Sequence, residues 1–431
     1  MEITDLLLGH TFEVADNPFT KPWDEVVRIN SSGAVALGGG YIQSVGEAAA
    51  LSAAHPNARI RDYGAHLICP GFIDAHVHYP QTAIVASWGK QLIDWLNTYT
   101  FPEEMRFGDA DYARGIADRY LDLALSYGTT TACSYTTIHP ESVEVFFNAA
   151  AARNMRVLAG KTCMDRHAPD GLMDTAQSAY DDSKQLLQHW HDRGRAGYVI
   201  TPRFSPTSTP EQLEALGALW AEHPDCLMQT HLSEQHPEIA WVKELFPHAN
   251  DYLHTYEEHG LLGERGLYGH AIHLEPREID CIAETGAGLA HCPTSNSFIG
   301  SGLMDVAGLA ARGIPVGLAT DTGGGSSFSM LRTMAAAYEI GQLRGTAIHP
   351  AQLLYLATAG AARSLHLHDR IGTLAPGMEA DLTVLDLAST PVIAQRAAEA
   401  NGIWDAVFPT IMLGDDRAIA DVWIAGVRKT G

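Results

Sequence analysis

Apolar and polar positions along this chain follow two different periods, and the periods exchange places in a regular order. Short apolar runs at residues 72–78, 129–134, 156–163, 198–203, 226–231, 267–273, 288–292 and 315–320 read as buried strands. Longer stretches between them, such as 112–127, 143–154, 210–223 and 330–343, carry apolar residues three and four apart and read as amphipathic helices. Eight such units in succession predict an α/β fold, a (β/α)8 TIM-like barrel with insertions over residues 69–375. The two ends are written differently. Residues 1–68 carry short alternating segments broken by turn glycines, as in 33–46, and the same style returns in 380–386 and 419–427. Together 1–68 and 376–431 predict one small β-sandwich lobe built from both chain ends.

In such a barrel the chemistry sits at the C-terminal ends of the strands, so the polar residue closing each apolar run matters most. The first run ends in His76 and His78. On a strand, spacing two aims both imidazoles the same way while Val77 packs behind them. The same spacing recurs in His189 and His191 and in His366 and His368, but there it falls in or at the end of helical stretches. Spacing two on a helix separates side chains by roughly 200°, so those four are expected to be ordinary surface residues. Other runs close on Arg203 and Phe204, on His231, on His270 with His273 nearby, and on Asp321. Three imidazoles and a carboxylate at one rim suit a mononuclear zinc or iron site completed by water. Zinc coordination can bring the pKa of water from about 15.7 to roughly 7, which no side-chain base achieves. Glu234, three residues past His231, is placed to carry protons above the ion. Asp321 can take a proton from the water while also ligating, and His270 can hydrogen-bond the nucleophile.

Bulk properties narrow the partners. At 431 residues, 46% hydrophobic and 18% charged, the chain has ample material for a core. No apolar run approaches the ~20 residues of a membrane span. The N-terminus has acidic residues before a very short apolar run, unlike a signal peptide, so a cytoplasmic location is expected. With 51 acidic against 28 basic residues the net charge is −23, which disfavours nucleic acid and anionic membranes. The six cysteines include no C-x-x-C pair and read as reduced core thiols. That absence also separates the chain from cytidine-type zinc deaminases: His139-Pro140-Glu141 and His236-Pro237-Glu238 match the H-x-E half of their signature, and the P-C-x-x-C half is missing.

The segment Pro70-Gly71-Phe72-Ile73-Asp74-Ala75-His76-Val77-His78, with residues 372–381, resembles the amidohydrolase superfamily of metal-dependent hydrolases. Narrower segments, His78-Tyr79-Pro80-Gln81, residues 95–104, Pro202-Arg203-Phe204 and Thr320-Asp321-Thr322-Gly323-Gly324-Gly325, are similar to the guanine deaminases within it. The resemblance covers nearly the whole chain. It implies hydrolytic deamination of guanine to xanthine and ammonia in purine catabolism, with one Zn2+ per subunit, Fe2+ being the alternative, held by His76, His78, His231 and Asp321. It further implies Glu234 as proton shuttle and His270 beside the nucleophilic water. Gln81, Arg203 and Phe204 would hold the purine in a pocket that His231, Glu234, His270 and Asp321 also border, and the subunits would form a homodimer.

The chemistry agrees with that implication. Arg203 can donate to the C6 carbonyl of guanine while Phe204 stacks on the ring, a contact worth about 1–3 kcal/mol per base. Adenine presents an amino donor at C6, and sites built around a substrate hydrogen bond reject such analogues by roughly 10⁴–10⁵. Rival readings are the same scaffold acting on a pterin, 8-oxoguanine or an amino-triazine, or a metal-free, non-enzymatic binding or structural protein. An Fe(II) oxygenase would leave several metal positions open and does not explain the barrel rhythm.

Overall fold

Four strands open the chain: β1 (Asp5–Val14), β2 (Val27–Gly38), β3 (Tyr41–Glu47) and β4 (Arg59–Pro70), in a computed structural model that describes residues 2–89 and 91–429. After Gly71 the chain enters the barrel, with β5 (Phe72–His78), β6 (Thr129–Tyr135), β7 (Arg156–Gly160), β8 (Thr162–Cys163) and β9 (Ala196–Pro202). β10 (Leu227–Leu232), β11 (Gly266–His270), β12 (Gly288–His291) and β13 (Val316–Leu318) complete it. Neighbours pair in parallel in the order β5-β6-β7-β9-β10-β11-β12-β13, as the alternation of strands and helices requires. The strand expected over 156–163 is divided into β7 and β8. At Gly160 a Cβ would lie 1.7 Å from the Val199 carbonyl oxygen, so only glycine permits this approach to β9.

Helices cover the outside of the barrel for the reasons their sequences suggest. Ala110–Ser126 starts where the Asp109 carboxylate accepts the N–H groups of Asp111 and Tyr112, and it buries a stripe of Ala113, Ile116, Ala117, Tyr120, Leu121 and Ala124. Inside, Ile73, Ala75, Cys133, Leu158, Val199 and Leu267 belong to one apolar cluster that fills the barrel below its rim. Access is therefore from the C-terminal end of the strands.

Closure between the first and last strands uses little backbone pairing. The Asp321 N–H donates to the His76 carbonyl at 3.0 Å and the His78 N–H to the Thr322 carbonyl at 2.9 Å. Just below, buried Asp74 accepts the Thr320 N–H at 2.9 Å and the Thr320 hydroxyl. Burial pushes the Asp74 carboxyl up to about 7. Asp74→Ala leaves the Thr320 donors unsatisfied and is expected to cost about 1–3 kcal/mol in urea unfolding; an unchanged midpoint would remove Asp74 from the closure.

β14 (Leu382–Leu385), β15 (Ile419–Ile424) and β16 (Val427–Lys429) join the opening strands in one mixed sheet of order β16-β15-β14-β4-β1-β2-β3. Ile42 near one edge and Trp423 near the other share one apolar cluster with Leu7, Val35, Ile68 and Leu382, so the strands from both chain ends bury a common core. Arg156 and Arg195 at the foot of the barrel pair with Glu379, and Arg195 also with Asp381, tying the lobe to the barrel. Among the described residues no helix is long and apolar enough to cross a membrane.

Candidate active site

Simple strand alternation does not bring His76 and His78 to the interior, because Ile73 and Ala75 already face it. The register of β5 against β6 shifts between Asp74 and Val77. That bulge reverses the parity, leaving Val77 in the outer core while both imidazoles turn inward. Gly269 makes room for them: a Cβ there would sit 2.8 Å from His76 Cε1. His270 ends β11 and Asp321 lies just past β13, with φ of 66° and 48°, left-handed values uncommon outside glycine and frequent where side chains are held for function.

The four expected ligands come together. His78 Nε2 lies 3.2 Å from His231 Nε2, and the Nε2 atoms of His76 and His78 lie 3.4 and 3.5 Å from Asp321 Oδ1. Donors about 2.0–2.1 Å from one ion at tetrahedral angles lie about 3.3–3.4 Å apart, so these spacings fit. Both ring nitrogens of wholly buried His76 lack a hydrogen-bond partner. Burial holds the imidazoles of His76, His78 and His231 below their usual range, hence neutral and able to ligate. His231 donates Nδ1–H to the Arg203 carbonyl at 2.7 Å, which leaves its Nε2 lone pair free. Tyr135 stacks on His78 with ring centroids 4.4 Å apart. Burial alone would raise the Asp321 carboxyl, but nearby His76 and His270 bring it down to about 2.

Glu234 and His270 stand beside this cluster. His270 Nε2 is 3.4 Å from Glu234 Oε2 and 3.7 Å from Asp321 Oδ2, while its Nδ1–H donates to Asn296 Oδ1 at 2.8 Å. Glu234 accepts the Ser301 hydroxyl at 2.7 Å, and burial pushes its carboxyl up to about 7. Burial lowers His270 as well, but Glu234 and Asp321 outweigh it and the imidazole stays above its ordinary value. The pair can therefore share a proton.

A pocket opens above, lined by Gln81, Arg203, Phe204, His231, Glu234, His270 and Asp321, with Leu92, Trp95 and Leu96 adding apolar surface. These apolar residues lie in the insertion after β5, in the helix Leu92–Trp95 and the π-helical turn Leu96–Thr100 that continues it. The next helix, Phe101–Glu104, carries Glu104 beneath the wall. Glu104 accepts Gln81 Nε2 at 3.0 Å and Arg203 Nη1 at 2.7 Å. Gln81 Oε1 in turn faces the Gly323 N–H at 3.3 Å.

Several of these residues have no signature of their own in the chain. Glu104, Asn296 and Ser301 act through tertiary contacts, and only the 95–104 segment carried a hint of the first. Cys292 also comes within ligand distance of His76, His270 and Asp321, but burial raises its thiol far above the usual range, so it stays protonated. His273, by contrast, is turned away, donating from Nε2 to the Ser301 carbonyl. His189 and His191 belong to no site shared between them; His191 accepts the Tyr198 N–H at Nδ1, so its Nε2 bears the proton and faces Asp225 at 3.4 Å.

Comparison with known proteins adds a second line. A model of the amidohydrolase family matches residues 67–429. The chain is 45% identical over 368 residues to the guanine deaminase of Escherichia coli (strain K12), spanning 85% of this chain and 84% of that one. The solved structure of E. coli guanine deaminase superposes with a TM-score of 0.96 at 41% identity over 99% of both chains. That of guanine deaminase from C. acetobutylicum, with guanine bound in its active site, does so at 0.89 and 28% identity over 98% of this chain and 99% of that one.

Proposed function

The chain belongs to the amidohydrolase family, and from that premise we propose that it deaminates guanine, adding water to release xanthine and ammonia. The observation that carries the reading is one cavity lined both by Gln81, Arg203 and Phe204 and by His78, His231 and Asp321, whose cluster His76 completes from behind. The donor set suits zinc, one per chain, with iron(II) as the alternative. When bound, such an ion acts as a Lewis acid that makes water acidic enough to be a nucleophile at neutral pH.

The protein's own groups do the rest. Arg203 donates to the C6 carbonyl oxygen, Phe204 offers a ring face, and Gln81 presents its amide at the base edge. These contacts hold C2 over the cluster. Glu234, fixed by Ser301, accepts a proton as water oxygen bonds to C2, and returns it to the exocyclic nitrogen as the C2–N bond breaks. His270, oriented by Asn296, steadies the attacking oxygen, and Asp321 relays the second water proton to N3 as the C2–N3 double bond opens. Guanine and water are consumed; xanthine and ammonia leave. The apolar side chains of Leu92, Trp95 and Leu96 line the same pocket and disfavour competing water there.

A protein purified with its metal is expected to form xanthine and ammonia in equal amounts from guanine, with little turnover of adenine or isoxanthopterin assayed in parallel. Ammonia from one of the others but not from guanine would overturn the reading in favour of another heterocycle, and a metal-free, folded, inactive protein in favour of a scaffold. The partition into 69–375 and a lobe of 1–68 with 376–431, a homodimer and a cytoplasmic setting belong to the same proposal; sedimentation tests the dimer.

The Glu234 carboxyl gives the pH dependence its sign. It must be ionised to accept a proton, and burial sets its pKa at about 7. kcat/KM is therefore expected to be full at alkaline pH and to fall as pH drops through that value. A profile flat across the neutral region would separate Glu234 from the rate.

A further inference from the structure

We infer that Glu104 makes the cavity select a neutral purine over an anionic one, by cancelling the charge of Arg203 and setting the amide of Gln81. The inference rests on the guanine reading. Glu104 lines no part of the cavity and acts only through its two partners, so it is a positioning residue. It is wholly buried, and its two oxygens are divided between them: one accepts Gln81 Nε2, the other Arg203 Nη1.

Two consequences follow from a carboxylate in that place. It only accepts hydrogen bonds, so the NH₂ end of Gln81 must face it, which leaves Gln81 Oε1 for the Gly323 N–H. It also pairs a guanidinium that is only 3% exposed. Arg203 makes no other side-chain hydrogen bond among the described residues, so its remaining N–H groups can serve a ligand as dipolar donors without a net charge behind them. Alone, that buried cation would favour any anion that reached it.

The distinction bears on product release. Deamination replaces an amine by a second carbonyl, and the dioxopurine formed loses a ring proton more readily than guanine does. A neutral Arg203–Glu104 pair holds the C6 carbonyl of substrate yet gives the ionised product no extra attraction. Hypoxanthine, which remains neutral in mildly alkaline solution where xanthine is largely ionised, separates charge from shape.

The test is calorimetric binding of hypoxanthine and of xanthine to the metal-loaded protein at mildly alkaline pH, for the natural chain, Glu104→Gln and Arg203→Gln. Glu104→Gln is expected to shift the ratio of the two dissociation constants at least about tenfold toward xanthine. Arg203→Gln leaves the carboxylate unpaired and is expected to shift it the opposite way. Glu234, Asp321 and His270 are common to all three proteins and cancel in the comparison. Ratios unchanged, or shifted in the same direction by both substitutions, would overturn the inference, since a merely structural role has no sign. If Glu104→Gln does not fold, Arg203→Gln alone decides: an unchanged ratio or a shift toward xanthine overturns it. Guanine turnover by the natural chain is measured beside these: its absence overturns the activity reading and this inference with it, and its presence with unmoved ratios overturns this inference alone.

Discussion

Glu234→Gln is expected to lower kcat by about 10²–10⁴-fold, the usual contribution of a positioned proton carrier, while metal content is retained. The substitution keeps the volume of the side chain and an oxygen to accept the Ser301 hydroxyl, now at 2.7 Å. What it removes is the ability to take a proton from water and hand it to the departing nitrogen. KM is expected to change little, because the base is held by Gln81, Arg203 and Phe204 on another wall. The variant is expected to be no less stable at alkaline pH, since burying an ionised carboxylate is costly and a neutral amide avoids that cost. Turnover at the natural rate with full metal occupancy would end the assigned role; lost activity with lost metal would move Glu234 from proton transfer to support of the cluster.

Removing the ion with a chelator is expected to abolish xanthine formation, and adding zinc back to restore it. The stripped protein retains the three imidazoles, two of them 3.2 Å apart, and the unpartnered nitrogens of His76. Its thermal stability is expected to fall by about 2.7 kcal/mol relative to protein in ion at a hundredfold excess over Kd. The stripped form is also expected to become acid-sensitive. Burial holds all three histidines below the value of about 6.5 that they have when unfolded, so the unfolded chain binds more protons as pH falls through that value, and folding stability is lost in that window. A chelated protein that keeps full activity would exclude a metal from the reaction.

The barrel is legible in the chain because each strand is a short apolar run closed by a polar residue, and the closing residues are those that line the rim. His231, His270 and Asp321 declare themselves this way. What alternation alone misses is the bulge between Asp74 and Val77, which depends on pairing with β6 and reverses the direction of His76 and His78. The break after Gly160 escapes for a similar reason, since it depends on how closely β9 approaches. Glu104 ends a one-turn helix in the insertion after β5, Asn296 sits in the short helix Pro293–Phe298 and Ser301 lies just beyond it, stretches too short to show a periodicity. Their roles come from partners far away in sequence, Arg203 being 99 residues from Glu104. Residue types and spacing report local geometry, and these three contacts are not local.

The narrow seam between β5 and β13 orders events in the life of the chain. Asp74 and Thr320 are separated by 246 residues, and their bond lies beside the ligands that the two strands carry. During synthesis His76 and His78 emerge long before Asp321 exists, so a nascent chain can offer an ion only a partial set of donors. Full coordination waits for the eighth strand to dock. An ion held by His76, His78 and Asp321 would link the first and last strands of the barrel where backbone pairing is sparse. Chains ending before residue 321 would lack that link.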